Sequence, residues 1–282
     1  MKRCYSYNHD KAILYLVATP IGNLDDITYR AVDTLRKVSY IYAEDTRNSM
    51  VLLNHYDIKT PLRSYHDFNK ELKNDEIIEI LEKGESVAII SDAGNPVISD
   101  PGYNICVSCI EHDIAVTTIP GACAYLSALV SSGLPPMPNT FIGFLDSKKS
   151  KRCEMLNEYK YVTHTLIFYE APHRIIDTLN DMLEVLGDRY IVISRELTKK
   201  FEEIIRGNIS EILKDTSLLK GEMVVLVSGF SEEKSEKDPM EMIDELISLG
   251  YRNKDAIKET ALALNLDRRE LYDKYILYKN NK

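Results

Sequence analysis

Short apolar runs and segments of helical periodicity alternate along the first half of this chain. The apolar runs have the length of buried strands, and the segments between them carry apolar residues three or four positions apart. Strands are predicted at 11–18, 38–43, 62–68, 87–90 and 115–119, and helices at 27–37, 48–55, 70–83, 103–113 and 125–132. Strands that alternate with helices in this way indicate a parallel sheet covered by helices.

The second half of the chain spaces its apolar runs differently. Strands are predicted at 140–145, 163–170, 190–194, 201–206 and 222–227, with one helix ending at 186 and another at 209–214. Because several of these strands follow one another with little helix between them, we expect a mixed sheet. A charged segment, 231–238, precedes a tail with helical periodicity.

These patterns predict an α/β fold with two α/β domains and a small C-terminal helical domain. The N-terminal α/β domain is expected at 11–119, the C-terminal α/β domain at 120–230 and the helical tail domain at 239–282. Open α/β sheets bind ligands at the carboxyl ends of their strands. We therefore expect a ligand cleft between the two α/β domains.

Three of the predicted strands end in loops rich in glycine and proline. The loops lie at 19–26, 91–102 and 120–124, and the second holds two glycines and two prolines in twelve residues. Glycine lets a ligand approach the main chain closely, and proline stiffens a loop. The spacing is neither that of a dinucleotide fingerprint nor that of a P-loop. The loops thus favour a mostly uncharged cofactor held by backbone groups and small pockets.

The net charge of −9 over 282 residues argues, taken alone, against nucleic-acid binding, since phosphate contacts come from Lys and Arg. The segment 146–152 is a local exception, with four positive charges against one negative. It is either a solvated loop or a loop that contacts phosphates. The tail from 251 carries eight basic and five acidic residues, a net of +3. A nucleic-acid-binding bundle and a dimerisation or capping element both remain open for this tail.

Five scattered cysteines indicate reduced thiols and a cytoplasmic setting. Cys106 and Cys109 have a spacing seen in zinc sites, but a structural site needs a second pair, which the sequence lacks. Core packing is the favoured interpretation, and no metal is expected. No apolar run reaches the ~18 residues of a membrane span, so no membrane partner is expected either.

Hydrogen-bonding side chains follow several strands and could take part in acid–base chemistry. The segment 44–47 is either a helix cap with an ion pair or part of a site. No Ser-His-Asp order and no nucleophile elbow are present. The candidates at strand ends are Asp45, Arg47, His66, Asp92, Asp100, Glu170, His173 and Arg195.

Several long motifs together resemble one bacterial enzyme family. They are TPIGNLDDIT (19–28), EDTR (44–47), SDAGNPVISDPG (91–102), PG (120–121), FYEAPHRI (168–175) and RELTK (195–199). In this order they are similar to the motifs of the ribosomal RNA small subunit methyltransferase I family, a group of tetrapyrrole-methylase-like (class III) methyltransferases. The resemblance covers about 12–230, and 254–276 looks like that family's C-terminal helical domain.

The resemblance implies S-adenosylmethionine as methyl donor and 2′-O-methylation of a cytidine ribose in the decoding site of 16S rRNA. It also implies the two-domain tetrapyrrole-methylase type of α/β fold, the small ribosomal subunit as partner and a homodimer. Carried over position by position, the cofactor contacts fall on Pro20, Ala93, Gly94, Asn95, Ile98, Cys123, Ala124, Glu170 and Leu197.

For catalysis we expect Asp92, Glu170 and Arg195 to act on the ribose hydroxyl, although Asp92 and Glu170 could instead hold loop N–H groups. Substrate phosphates are expected to contact Lys148, Lys149, Lys151, Arg152, Arg174, Lys199 and Lys200. A methylase of the same fold that acts on a tetrapyrrole or another small molecule is the alternative enzyme. An RNA-binding assembly factor is the alternative outside catalysis.

Overall fold

The computed structural model describes residues 11–66, 70–98, 102–216, 219–231, 238–264 and 266–280. The chain separates into two compact units, Met1–Gly229 and Phe230–Lys282. The first unit contains two five-stranded sheets with helices, and the second is helical. The predicted α/β class with a C-terminal helical region is confirmed, while the boundary at 119/120 between two α/β domains stays a prediction.

The first sheet is entirely parallel and has the order β3-β2-β4-β1-β5. Its strands are β1 (Ile13–Val17), β2 (Tyr40–Ala43), β3 (Leu62–Ser64), β4 (Val87–Ile90) and β5 (Ala115–Ile119). The helices beside it are a 3-10 turn (Leu24–Asp26), α1 (Tyr29–Lys37), α2 (Thr46–His55), α3 (Lys70–Glu82) and α4 (Tyr103–Glu111). Val17 pairs with both Ile90 and Ile119, so three strands end side by side. Their following loops, the three glycine and proline loops, therefore share one edge of the sheet.

The second sheet has the order β6-β7-β10-β8-β9. Its strands are β6 (Asn139–Phe144), β7 (Thr165–Glu170), β8 (Tyr190–Arg195), β9 (Glu203–Asn208) and β10 (Met223–Val227). Only the pairing of β6 with β7 is parallel, and the other three pairings are antiparallel. The expectation of a mixed sheet is confirmed. The helices here are α5 (Ala124–Ser132), α6 (Lys149–Glu158), α7 (Ile175–Leu186) and the short α8 (Ile209–Ile212).

Helix α6 corrects the sequence analysis, which interpreted 146–152 as a basic loop. The segment is instead the entry to a helix whose buried residues include Arg152 and Leu156. Because Arg152 counts as a polar residue, the buried face of this helix does not show an apolar periodicity in the sequence. Arg152 is tolerated there because it pairs with Asp181 of α7 at 2.6 Å.

Apolar clusters lie on both faces of each sheet. Cys106 and Cys109 belong to the cluster that packs α3 and α4 against the first sheet. Burial raises the pKa of Cys106 to about 11 and that of Cys109 to about 12. The interpretation of this pair as core residues is confirmed.

The C-terminal unit consists of α9 (Pro239–Ser248), α10 (Asn253–Ala263) and α11 (Arg268–Asn280). Ile243, Ile257 and Leu271 form its core together with Tyr275. The Tyr275 hydroxyl donates a hydrogen bond to Asp244 at 2.7 Å. Throughout the described residues of both units, every helix is too short or too polar to cross a membrane.

Candidate functional site

A cleft with a volume of about 900 Å³ opens at the carboxyl edge of the first sheet and against one face of the second. This volume is typical of sites that bind small molecules and cofactors. Its lining is mostly apolar and comes from both halves of the α/β unit. The residues that the sequence analysis expected here and that line the cleft are Asp92, Ala93, Gly94, Asn95, Ile98, Cys123, Ala124, Glu170 and Leu197.

The loop after β4 is tied to the loop after β1. Thr19 and Gly94 exchange two backbone hydrogen bonds, of 2.9 and 3.1 Å, as an isolated antiparallel bridge. The Ser91 hydroxyl donates to the Gly94 carbonyl at 2.9 Å. Gly94 has a φ of +77°, which L side chains rarely adopt. The glycine thus lets the loop turn back onto β1 while its neighbours face the cleft. The end of this loop, 99–101, which includes the candidate Asp100, lies outside the described residues.

The loop after β5 completes this wall of the cleft. A Cβ atom on Gly121 would lie 2.9 Å from the Cβ of Ala18, so only glycine permits this approach. Cys123 is the N-cap of α5 and Ala124 its first residue. The Asn95 side-chain amide donates to the Ala122 carbonyl at 3.3 Å and links this loop to the one after β4.

The first loop places Ile21, and not Pro20, in the cleft wall. Pro20 is buried and is not among the lining residues, so its expected cofactor contact stays a prediction. A Cβ atom on Gly22 would lie 2.6 Å from Cγ of Lys199, so the first loop packs closely against the loop after β8.

The loop after β8 presents Leu197 to the cleft between two residues with positive φ, Glu196 at +51° and Thr198 at +66°. Such conformations cost about 1–3 kcal/mol each and are found at functional sites. Polar contacts hold the loop in place. The Glu196 carboxylate accepts hydrogen bonds from the Glu222 N–H at 3.2 Å and from Nζ of Lys199 at 3.1 Å.

Several lining residues escaped the sequence analysis, namely Tyr125, Phe144, Tyr169, Ser194, Glu222, Met223 and Val224. Most of them lie in strands, where residues that line a cleft and residues that pack in the core show the same alternation of apolar side chains. The rings of Phe144 and Tyr169 lie 5.4 Å apart, and burial raises the pKa of Tyr169 to about 12. The FYEAPHRI motif was the available signal for Tyr169, and we know of none for the others.

The three predicted catalytic residues lie in different environments. Asp92 lines the cleft, is exposed, and accepts a hydrogen bond from the Asn48 side chain at 3.2 Å. Arg195 is not among the lining residues and forms an ion pair with Glu203 at 2.6 Å. A catalytic role for Arg195 does not fit this position, because its guanidinium is engaged within the second sheet.

Glu170 is among the residues that line the cleft, and its side chain is buried. One carboxylate oxygen accepts from the Ala171 N–H at 2.8 Å and from Arg174 at 2.7 Å, and the other accepts from the Thr178 hydroxyl at 2.5 Å. These bonds match the alternative in which Glu170 holds loop N–H groups. The geometry favours that positioning role over proton transfer.

Other strand-end candidates are explained locally. Asp45 is the N-cap of α2, accepts from the Arg47 N–H at 2.8 Å and pairs with the Arg47 side chain. Hydrogen bonds from Arg47 lower the pKa of Asp45 to about 2. The cap interpretation of 44–47 is thus confirmed. His173 is exposed beside the cleft loop of β7.

The predicted phosphate contacts divide into exposed and engaged cations. Lys148, Lys151 and Lys200 are exposed, and within the described part of the chain Lys148 has no ion pair. Three others are partly engaged: Lys149 with Asp181 and Glu184, Arg174 with Glu170, and Lys199 with Glu196 and Glu222. Arg152 is buried in its pair with Asp181, so its expected contact with RNA is corrected to a structural role.

Solved structures share the fold of this chain at low sequence identity. A cobalamin biosynthetic enzyme, cobalt precorrin-4 methyltransferase, superposes with a TM-score of 0.57 at 15% identity over 77% of this chain and 94% of that one. Uroporphyrin-III-C-methyltransferase from Thermus thermophilus gives a TM-score of 0.54 at 16% identity over the same shares. The two-sheet architecture is therefore a known fold.

Sequence relatives narrow the assignment. The family model for tetrapyrrole (corrin/porphyrin) methylases matches residues 13–213. Proteins named ribosomal RNA small subunit methyltransferase I are 46% identical in Halalkalibacterium halodurans (97% of this chain, 98% of the relative) and 45% identical in Bacillus subtilis (98% of both). The Haemophilus influenzae protein of that name is 49% identical over 77% of this chain and 78% of its own. The chain therefore belongs to the ribosomal RNA small subunit methyltransferase I family of the tetrapyrrole methylases.

Proposed function

We propose that this protein uses S-adenosylmethionine to methylate the ribose 2′-oxygen of a cytidine in the decoding site of 16S rRNA. The observation that carries the proposal is the position of the residues expected to bind the cofactor. All of them except Pro20 line a single cleft, although they come from four separate stretches of sequence. The family relatives, named for small-subunit rRNA, support the substrate.

The cleft fits the proposed cofactor. Its mostly apolar wall suits a nucleoside, and Gly94 and Gly121 lie where a side chain would be strained or would collide. When bound, S-adenosylmethionine supplies a methyl group activated by its positively charged sulfur. The carbonyl and N–H groups of the loops then hold the donor, and no phosphate-binding loop is needed. Holding donor and acceptor in line can contribute about 7–11 kcal/mol of the barrier reduction.

Asp92 is the residue that we propose to accept the proton of the ribose 2′-hydroxyl. It is the predicted catalytic residue whose carboxylate is exposed at the cleft, and Asn48 orients it. General-base assistance of this kind is typically worth about 10²–10⁴-fold in rate. Glu170 is proposed to hold the loop after β7, and Arg195 to brace β8 against β9.

We propose that RNA phosphates contact Lys148, Lys149, Lys151, Arg174, Lys199 and Lys200. Lys148 and Lys151 lie at the start of α6 and are exposed to solvent. Their charges are weakly compensated, since the pair of Lys151 with Asp146 has a separation of 3.9 Å. A local basic surface of this kind can bind RNA on a protein whose net charge is −9.

We further propose a cytoplasmic homodimer, as the family resemblance implies. Val130 of α5 has an exposed fraction of 73%, and Leu126, one turn before it with an exposed fraction of 50%, also lines the cleft. Apolar side chains so placed on one helix face are suited to an interface. Light scattering after size exclusion tests this, and a monomeric mass at micromolar concentration would contradict it.

The deciding experiment incubates the purified protein with tritiated S-adenosylmethionine and 30S subunits from a strain that lacks this methylation. We expect label on the 2′-oxygen of one decoding-site cytidine and little label with Asp92→Asn. Subunits that already carry the methyl group serve as the substrate control. Cofactor binding without labelled RNA would refute the ribosomal substrate and lead to tests of tetrapyrroles and other small acceptors. Absence of cofactor binding would leave an RNA-binding assembly factor.

A further inference from the structure

An exposed aromatic residue, Phe201, lies in the loop that joins β8 to β9. A strand was predicted to begin at this residue, but β9 begins at Glu203, so Phe201 belongs to the loop 196–202. The exposed fraction of Phe201 is 67%. The loop is short, since β8 and β9 are paired as far as Arg195 and Glu203, and it also contains Leu197, which lines the cleft. Phe201 is therefore held beside the cleft without being one of its lining residues.

Polar contacts of the neighbouring residues fix the loop around Phe201. The Glu202 carboxylate accepts a hydrogen bond from the Thr198 N–H at 2.5 Å, and the Glu202 N–H donates to the Lys199 carbonyl at 3.1 Å. The position of the ring thus does not depend on its own burial. Single exposed apolar side chains are common on protein surfaces, so the exposure of Phe201 has to be judged together with the charges around it.

The charges around the ring suit an anionic partner. The Lys200 ammonium lies over the Phe201 ring, 5.6 Å from its centroid, and no ion pair of Lys200 occurs among the described residues. The acidic side chains of Glu196 and Glu222 are both engaged with Nζ of Lys199, at 3.1 and 2.7 Å. An accessible ring beside an uncompensated cation is the combination that binds unpaired nucleic acid, since bases stack on aromatic rings and phosphates contact cations.

The proposed reaction requires an unpaired stretch of RNA at this place. Enzymes that modify nucleotides act on unpaired strands or take the nucleotide out of its stack. When the acceptor ribose enters the cleft, the bases next to it lose stacking partners. Phe201 follows Leu197 by four positions in the same loop, so its ring lies where such a neighbouring base would leave the cleft.

We propose that Phe201 is a substrate-binding residue that stacks on a base next to the methylated nucleotide, while Lys200 contacts the adjoining phosphate. The inference rests on the proposed methylation of rRNA and deepens it, because it assigns to the loop 196–202 the part of the RNA strand that remains outside the cleft.

The test measures the Kd for 30S subunits from a strain that lacks the methylation, by filter binding in the presence of S-adenosylhomocysteine. Loss of one stacked base predicts that Phe201→Ala raises this Kd by about 5- to 150-fold. Phe201→Leu should resemble Phe201→Ala, because leucine is apolar but has no flat face, whereas Phe201→Tyr should remain close to wild type. Phe201→Ala should leave the slope of log K against log salt unchanged, whereas Lys200→Ala should reduce it by about 0.7–0.9.

Tyr161→Ala is the matched control. Tyr161 has an exposed fraction of 69% and the Lys160 ammonium 5.8 Å from its ring centroid. It precedes β7, whose other end, at Glu170, reaches the cleft. We expect an unchanged Kd for 30S subunits in this variant. Calorimetric titration of S-adenosylhomocysteine should give the same Kd for Phe201→Ala and wild type, which shows that the loop and the cleft remain intact.

Four results would overturn the proposal for Phe201. They are a Kd of Phe201→Ala for 30S subunits within twofold of wild type, an equal loss of affinity in Tyr161→Ala, a wild-type affinity of Phe201→Leu, and weaker binding of S-adenosylhomocysteine by Phe201→Ala. A lower mass of Phe201→Ala than of wild type in light scattering would assign the ring to contact with a second copy of the chain and would also overturn it. Failure of the wild-type protein to bind 30S subunits would instead refute the proposed ribosomal substrate.

Discussion

The side-chain amide of Asn48 donates a hydrogen bond of 3.2 Å to Oδ2 of Asp92, which lies 44 positions further along the sequence. Asn48 belongs to the first turn of α2, which Asp45 caps. The bond therefore connects a rigid helix to a loop of the cleft. It orients an exposed carboxylate that would otherwise have considerable rotamer freedom.

Removing the carboxylate of Asp92 is expected to impair turnover more than binding. Asp92→Asn keeps the size of the side chain but cannot accept a proton, so kcat should fall by about 10²–10⁴-fold. Asn48→Ala leaves the base but frees its orientation, and we expect a smaller fall, of about tenfold. Single-turnover methylation of 30S subunits measures both. Asp33→Asn on α1, whose carboxylate pairs with Lys37, is the control and should retain activity. Full activity of Asp92→Asn would exclude this residue as the base.

Gly94 and Gly133 offer a matched pair of substitutions. Their φ angles are +77° and +85°, so alanine is strained at both, by about 1–2 kcal/mol. Gly94 lines the cleft, whereas a Cβ on Gly133 would meet nothing within 4 Å. Both alanine variants should lower the free energy of unfolding similarly, but only Gly94→Ala should weaken binding of S-adenosylhomocysteine. Equal affinities in calorimetry would show that the loop backbone does not contact the ligand.

The exposed lysines at the start of α6 are expected to contribute to RNA affinity through phosphate contacts. The double variant Lys148→Glu/Lys151→Glu should weaken binding and reduce the slope of log K against log salt by about 1.4–1.8, since each contact contributes about 0.7–0.9. Filter-binding titrations at salt concentrations from about 50 to about 200 mM measure this slope. Lys37→Glu/Lys83→Glu makes the same charge change at an exposed position of α1 and at one directly after α3. An equal loss of RNA affinity in this control would show that the change in net charge, and not a contact at the start of α6, causes the effect.

Arg152 is expected to act on stability and not on RNA. Its guanidinium is buried, pairs with Asp181 at 2.6 Å and donates to the Ser147 carbonyl at 3.0 Å. Arg152→Ala leaves the Asp181 carboxylate buried without this partner, which should cost about 3–5 kcal/mol in the free energy of unfolding. Urea denaturation measures the loss, and Arg152→Met/Asp181→Leu should recover much of it. If the Arg152→Ala protein were fully folded but bound RNA more weakly, the prediction that Arg152 contacts RNA phosphates would be correct after all.

Glu76 of α3 predicts an acid-sensitive contribution to stability. Burial alone would raise its pKa, but hydrogen bonds from Lys73, Tyr42 and Arg63 outweigh burial and lower the pKa from 4.5 to about 2. A carboxyl group with a lowered pKa stabilises the fold above its unfolded value, and this contribution is lost as the pH falls toward the folded value. The difference in free energy of unfolding between wild type and Glu76→Gln should therefore be full at pH 6–7. It should shrink between pH 4.5 and 2, as measured by urea titrations across that range.

One outcome would contradict the prediction for Glu76. If the difference between wild type and Glu76→Gln were independent of pH down to 2, the ion pairs with Arg63 and Lys73 would not be responsible for it. Arg63→Lys is a useful companion, because it keeps the charge but removes the stacking of the guanidinium on Tyr40, which lies 3.6 Å from the ring centroid.

Local sequence patterns predicted the order of strands and helices, apart from α6, and the three loops of the cleft. Glycine and proline restrict or release the backbone where they stand, so Gly94, Pro120 and Gly121 indicate a tight loop without knowledge of distant residues. Apolar periodicity likewise depends on neighbours in the chain. The α/β class and the mixed second sheet could therefore be predicted, whereas the expected cofactor positions came from the family resemblance of the motifs and stay a prediction.

Which side chains share the cleft, and which cations are engaged in ion pairs, depends on contacts between residues that are distant in sequence. Ser194 in β8 and Val224 in β10 line the cleft, while other residues of the same strands lie under a helix. The alternation of side chains along a strand is the same in both cases, so the sequence does not distinguish them. Arg152 is a surface charge in sequence and a buried one in the fold, because its partner Asp181 is 29 residues away.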